Sequence, residues 1–199
     1  MIAFPAIWWL FSVISLGLIL FSLYLTKSDR LESKRLRYCL VASGAFFGLL
    51  AFVLPFFQQP HFQNPILNYA VGLPLTVVGL IGRVYPMIYL RQQGTTTAME
   101  EVGKLVDTGP YRWVRHPQYT FGFILLCGWF LVWGAVYSLC LMPLIGVIIY
   151  SQALIEERYV LEKKFGREYA EYKKRVGMLI PRIVKEQPKQ PRAGQSDRL

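Results

Sequence analysis

The segment Leu105 to Tyr119, LVDTGPYRWVRHPQY, gathers His116, Arg112, Arg115, Tyr111, Trp113 and Tyr119 between two apolar runs. His116 can serve as acid, base or hydrogen-bond donor because its ordinary pKa lies near ~6.5, or it can be a structural donor only. Arg112 and Arg115 are cationic forks suited to carboxylate or phosphate, or simple anchors at a membrane face. The aromatic rings suit a nucleobase or a sulfonium cation, and equally a lipid interface. A second constellation, Glu156-Glu157, closes a later apolar run. Carboxylates beside apolar helix are costly unless paired, and adjacent helical positions point apart, so one of the two faces any common pocket.

These residues need elements to hold them. Thr108-Gly109-Pro110 is a turn signal, and Pro117 drives His116 away from helical backbone. At membrane depth such irregular backbone persists only inside protein or beside water, so the segment reads as a pocket wall. The chain of 199 residues is 54% hydrophobic, and its mean hydropathy is +0.34. Apolar runs long enough to cross a ~30 Å hydrocarbon core lie at 6–25, 38–57 and 66–90. Residues 119–150 carry no charge, which fits a hairpin of spans at 119–133 and 135–155 hinged at Trp133-Gly134-Ala135. The fold class expected is an all-α integral membrane protein with five transmembrane helices. Residues 1–184 form one membrane domain, with the pocket built from 103–182 and a disordered tail at 185–199.

Charge placement gives the orientation. Of 22 Lys and Arg, 21 lie in 26–37, 91–116 and 156–199, and Arg83 is the exception. An N-terminus outside and a C-terminus in the cytoplasm put all three basic segments on one face. The net charge of +10 then reads as topology and attraction to anionic lipid, and nucleic acid is not an expected partner because no binding motif accompanies it. Arg83, inside a span, either snorkels or marks a functional interior. Pro74 and Pro86 in the same helix are kink sites. Trp8 and Trp9 read as interface anchors, His61 as an isolated loop histidine, and Cys39, Cys127 and Cys140 as small core residues. Without CxxC, HExxH or a His–Cys cluster, no metal is expected. Gln92 to Val102 reads as a surface loop, and Leu154 to Tyr172 as an amphipathic helix that Gly166 interrupts. Nothing in the sequence sets an oligomeric state.

The core GPYRWVRHPQY, followed in order by EE, FGREYAEY and IP, resembles the isoprenylcysteine carboxyl methyltransferase family. That family belongs to a wider group of membrane methyltransferases, which includes phospholipid and thiol methyltransferases. The likeness covers roughly 103–181. It implies an enzyme that uses S-adenosylmethionine at a cytoplasmic C-terminal pocket, in a bacterial inner membrane or an endoplasmic reticulum, with a lipophilic or prenylated acceptor. Carried over by position, the cofactor-binding residues are Lys104, Leu105, Val106, Tyr111, His116, Pro117, Gln118, Tyr119 and Glu157. His116 and Glu157 are the expected catalytic residues, and Arg83 and Arg115 the candidates for an anionic acceptor head.

This sequence departs from the family at three places. EERYVL is one residue longer than the family's spacing, so either Glu can be the functional one. Phe121 stands where relatives have Gly. Ala153 stands where the prenylcysteine enzymes carry an Arg for the substrate carboxylate, which weakens that acceptor but not methyl transfer. A phospholipid or thiol acceptor is the alternative. Sterol reductases using NADPH share RHPxY-like motifs but are longer, and a non-catalytic membrane binding protein is the remaining rival.

Overall fold

The computed structural model describes residues 6–27, 34–95 and 103–182. Among them every regular element is helical, and β structure is confined to two isolated bridges. Helix α1 spans Ala6–Lys27 and α2 spans Lys34–Val53. A π-helical turn, Ile66–Gly72, leads into α3, Leu73–Gln92. After the irregular central segment come α4, Pro117–Trp133, the short α5, Val136–Cys140, and α6, Met142–Glu156. A second π-helical turn, Glu157–Leu161, joins α6 to α7, Glu162–Arg175. The loop at 96–102, the connection at 28–33 and the tail beyond 182 lie outside the described residues.

Each apolar run of the sequence therefore carries helix. One of them, Ile66–Gln92, is long and apolar enough to cross a membrane by length and composition; Trp8–Gly17, Phe46–Phe56 and Pro117–Trp133 are shorter apolar helices. The faces that α1 and α3 turn outward are apolar: Leu10, Val13, Leu16 and Leu20 on α1, and Val77, Leu80, Ile81, Val84 and Ile88 on α3 are all exposed. A contiguous apolar surface of that extent marks contact with a membrane or with another protein.

Phe130 on α4 is the centre of the core, with Trp8 and Phe11 of α1, Phe47 and Ala51 of α2, and Met142 and Ile145 of α6 around it. Trp8 corrects one expectation. It is fully buried, and its indole N–H donates to the Gln58 carbonyl at 3.2 Å, so it ties α1 to the loop after α2 while exposed Trp9 keeps the outward position. That loop is stitched to the α4–α5 turn: Phe62 N–H donates to Gly134 O, Val136 N–H to Pro60 O, and His61 Nδ1 to Trp133 O at 2.8 Å. The hinge falls where the sequence placed it, because Gly134 adopts φ +60°, a backbone that side chains with Cβ resist.

Helix α3 packs most extensively on α4, and glycines set how closely. A Cβ at Gly79 would overlap the backbone of Leu125, and one at Gly128 the backbone of Leu75 and Thr76. Small residues let helix backbones meet where lipid supplies no hydrophobic drive between helices. Gly79→Ala is expected to cost about 1–3 kcal/mol through overpacking, read as a lower unfolding midpoint in detergent. Gly17→Ala, with nothing within 4 Å, should leave that midpoint unchanged or raise it. Pro86 lies buried inside α3, and Pro74 follows the π-helical turn, so the helix irregularity gathers at its start.

Candidate active site

The central segment is shaped by its own turn residues. Gly109 adopts φ +59°, and Gly109–Arg112 forms one 3₁₀ turn with Pro110 at its start. The Tyr111 and Trp113 amides close it by donating to Thr108 O and Pro110 O. Tyr89 of α3 meets the Thr108 hydroxyl at 2.9 Å. His116, at φ −123° and ψ 64°, precedes the first turn of α4, the non-helical geometry that Pro117 imposes. Its carbonyl accepts from the amides of Tyr119 and Thr120, each at 3.1 Å.

A strap from the end of the chain holds this segment from outside. Val114 bridges Gly177, and the amides of Arg115 and His116 donate to Gly177 O at 2.8 Å and Met178 O at 3.0 Å. The Thr120 hydroxyl donates to Leu179 O at 2.7 Å. Gly166 breaks α7 with φ 48° and ψ −115°, turning Tyr169 and Tyr172 inward, and the Tyr172 hydroxyl donates to Tyr111 O at 2.6 Å.

Inside this frame the two glutamates separate. Glu157 is 1% exposed and takes both arms of Arg115, Nε to Oε1 at 2.7 Å and Nη2 to Oε2 at 3.2 Å. It also meets His116 Nε2 at 3.1 Å and Lys173 Nζ at 3.3 Å. Arg115 spends its remaining bonds on the carbonyls of Lys173 and Val176, so its guanidinium is committed within the protein. Glu156 points the other way, with Oε2 3.7 Å from His116 Nδ1. A carboxylate only accepts, so the contact with Glu157 places a proton on His116 Nε2 and turns Nδ1 towards Glu156.

Burial alone would raise the Glu157 carboxyl, but the hydrogen bonds from His116 and Arg115 and the charges beside it prevail and hold it down at about 2. Because this lies below the ordinary carboxylate value, the cluster's stabilisation is complete above about pH 4.5 and is lost as pH falls towards 2. Unfolding midpoints near pH 6 and pH 3 should differ strongly in the wild type and much less in Glu157→Gln. Burial, against the Gln118 hydrogen bond and with the Glu156 charge, pushes Tyr111 up to about 12, so it stays a neutral phenol.

A cavity of about 540 Å³ opens against these residues, within the ~300–1,000 Å³ of small-molecule sites. Lys104, Leu105, Val106, Tyr111, His116, Pro117, Gln118 and Tyr119 all line it, as do Arg83 and Arg115. Glu156 lines it and Glu157 does not. Gln118 donates to the Tyr111 hydroxyl at 3.1 Å, and Tyr119 stacks on His116 with ring centroids 5.5 Å apart. Arg83 Nη1 reaches the Gln118 carbonyl at 3.4 Å. Its other wall is apolar, with Phe11, Phe47 and Phe52 from α1 and α2 and Ile145, Ile148 and Ile149 from α6.

Sequence reasoning missed Gln152, Leu161, Tyr169 and Tyr172, which also line the cavity. The three- and four-residue spacing of the last three marked an inward face without showing what it faced. Gln152, a polar residue in an apolar run, was a signal left unread. The π-helical turn at Glu157–Leu161 accounts for the longer EERYVL spacing, since such a turn takes up one added residue without ending the helix. Among the described residues no group of three metal-ligating side chains occurs.

An amphiphile-sized cavity, one wall apolar and the other carrying a carboxylate, a histidine and phenols, sits among helices whose outward faces are apolar. It belongs to a helical protein with membrane-type outer faces, and it offers one polar and one apolar wall. Residues 67–168 match the model of the phospholipid methyltransferase family, and the chain belongs to that family. It is 31% identical over 170 residues to the protein-S-isoprenylcysteine O-methyltransferase of Dictyostelium discoideum, covering 78% of this chain and 68% of that one. It is 30% identical over 162 residues to the protein of the same name from Saccharomyces cerevisiae, covering 69% and 61%. A nickel-cobalt-cadmium resistance protein, NccN, from Alcaligenes xylosoxydans xylosoxydans is 25% identical over 113 residues, covering 57% and 49%. The chain thus spans about half to two thirds of the length of these relatives. No solved structure matches it.

Proposed function

We propose that this protein is an S-adenosylmethionine-dependent integral membrane methyltransferase of five spans, with the N-terminus outside and the cavity facing the cytoplasm. One observation carries the reading: a single cavity is lined both by the His116–Glu156 face and by the apolar wall of α1, α2 and α6. The five-span arrangement is supported by helix in every apolar run and by lipid-like outer faces on α1 and α3, together with the one-sided basic segments.

The donor set fits the cofactor, which supplies an activated methyl group on a cationic sulfonium when bound. Glu156 offers the anion that such a cation needs, and Tyr111 and Tyr119 offer aromatic rings. Leu105 and Val106 form an apolar wall for a nucleoside, with Lys104 and Gln118 as polar contacts. Glu157 takes the positioning role: it orients the His116 ring and fixes its proton on Nε2. His116 Nδ1 is then free to take a proton from an acceptor that carries one. The apolar helices exclude water and align a lipophilic acceptor with the transferred group.

Calorimetric titration with S-adenosylmethionine and S-adenosylhomocysteine tests the reading. Both should bind, and NADPH should not. Absence of binding by both nucleosides would remove the cofactor assignment. A phospholipid acceptor is the second reading, favoured by the matching family's description and by Arg83 at the cavity, which suits a phosphate.

A further inference from the structure

One face of α6 carries a record of what the cavity accepts. Ile145, Ile148, Ile149, Gln152 and Glu156 all line it, at spacings that bring them to one side of the helix. Polarity rises along this face from hydrocarbon, through one uncharged carboxamide, to an acid. Gln152 stands at the boundary. Among the described residues nothing hydrogen-bonds its carboxamide, which is half-buried and turned to the cavity. Room for it is built into α2: a Cβ at Gly44 would overlap the end of the Gln152 side chain. A polar side chain inside an apolar helix, with a glycine opposite and no partner among the described residues, points to a ligand group.

The chemistry of that group follows from the charges around it. No cation lies on the α6 face. Of the three cations that line the cavity, Arg115 is committed to Glu157 and to two carbonyls, Arg83 approaches from α3, where it donates to Gln118 O, and Lys104 is an exposed residue of the segment that precedes the Gly109 turn. A carboxylate head placed at Gln152 would be buried against a neutral amide, with Glu156 one helical turn on, about 6 Å along the axis. Burying an anion in that setting is strongly unfavourable. A carboxamide both donates to and accepts from an uncharged hydroxyl, thiol or amine.

Resting on the methyltransferase reading, we propose that Gln152 selects the acceptor, and that the acceptor is a long-chain amphiphile with an uncharged, proton-bearing nucleophile and not a carboxylate. In the transfer, the bond from the nucleophile to the methyl carbon forms as the sulfonium S–CH3 bond breaks, its electron pair remaining on sulfur. The proton leaving the nucleophile passes to Glu156 or to His116 Nδ1.

The test is binding by native mass spectrometry to amphiphiles that share one alkyl chain and differ only in a thiol, hydroxyl or carboxylate head. The wild type should bind the thiol and alcohol at least about 10-fold more tightly than the carboxylate. Gln152→Leu should weaken thiol and alcohol binding by roughly 3- to 10-fold without moving the unfolding midpoint, and Gln152→Arg should reverse the ranking. Equal or tighter carboxylate binding by the wild type, or a ranking unmoved by Gln152→Arg, overturns the proposal. Cofactor titration separates the two levels. A protein that binds S-adenosylmethionine but prefers the carboxylate refutes this inference alone, whereas one that binds no cofactor refutes the methyltransferase reading whatever its ranking.

Discussion

Replacing Glu156 with glutamine is expected to lower methyl transfer by about 100-fold or more while leaving the fold intact. Glu156 lines the cavity and makes its nearest ionic contact with His116 Nδ1, at 3.7 Å, so its charge is available to a ligand and holds little of the protein together. Losing a charge-assisted contact in a dry site costs about 2.7–4 kcal/mol, as for a missing oxyanion donor. The measurement is a single-turnover rate with labelled methyl donor, beside an unfolding midpoint. An unchanged rate would remove Glu156 from the site. A large fall in midpoint would make its role structural.

Glu157→Gln should have the opposite signature. Its oxygens receive Arg115 through two bonds, and His116 and Lys173 besides. Taking one partner from a buried ionic cluster leaves the others uncompensated, at about 3–5 kcal/mol. Unfolding in detergent should therefore shift strongly, and activity should fall because His116 loses its orientation. The double variant Arg115→Met with Glu157→Gln is expected to be less destabilised than the sum of the single changes, since it removes both charges together. Strict additivity would show that the pair does not act as a unit. The two adjacent acids thus make a paired comparison: one variant folded and inactive, the other poorly folded.

Their separation was not legible in the chain. EE in sequence says only that two carboxylates point in different directions. Which one faces the cavity depends on the helix phase at the end of α6, and the π-helical turn that follows shifts the phase of everything after it. The sequence places the carried-over contact on Glu157 and leaves either Glu open as the functional one, because the spacing that would decide between them crosses the π-helical turn. The same step displaced attention from Gln152 to Ala153, which is fully buried in protein.

Arg115 shows a related limit. As a residue type it suits an acceptor's anion, yet its neighbours from 58 to 61 positions away consume its donors. Trp8 likewise satisfies the interface pattern but has the Gln58 carbonyl within reach. Both depend on contacts between distant parts of the chain, and local pattern carries no information about those.

Other features were fixed by local physics. The turn at Gly109, the non-helical His116 before Pro117, the hinge at Gly134 and the break at Gly166 all appear where glycine and proline stand, because those residues restrict or release the backbone in any context. The helical character of the apolar runs followed from length and hydrophobicity, and the segment Leu105 to Tyr119 was marked as one wall by its glycine and proline turn signals, since irregular backbone at membrane depth persists only inside protein or beside water. Sequence by itself thus determined the class of fold, the family and the segment around which the cavity forms. The tertiary structure decided which acid meets that cavity, which cations are already engaged, and that α6 presents a neutral amide to it. Those outcomes turn on helix phase and long-range pairing, which a single added residue can reverse.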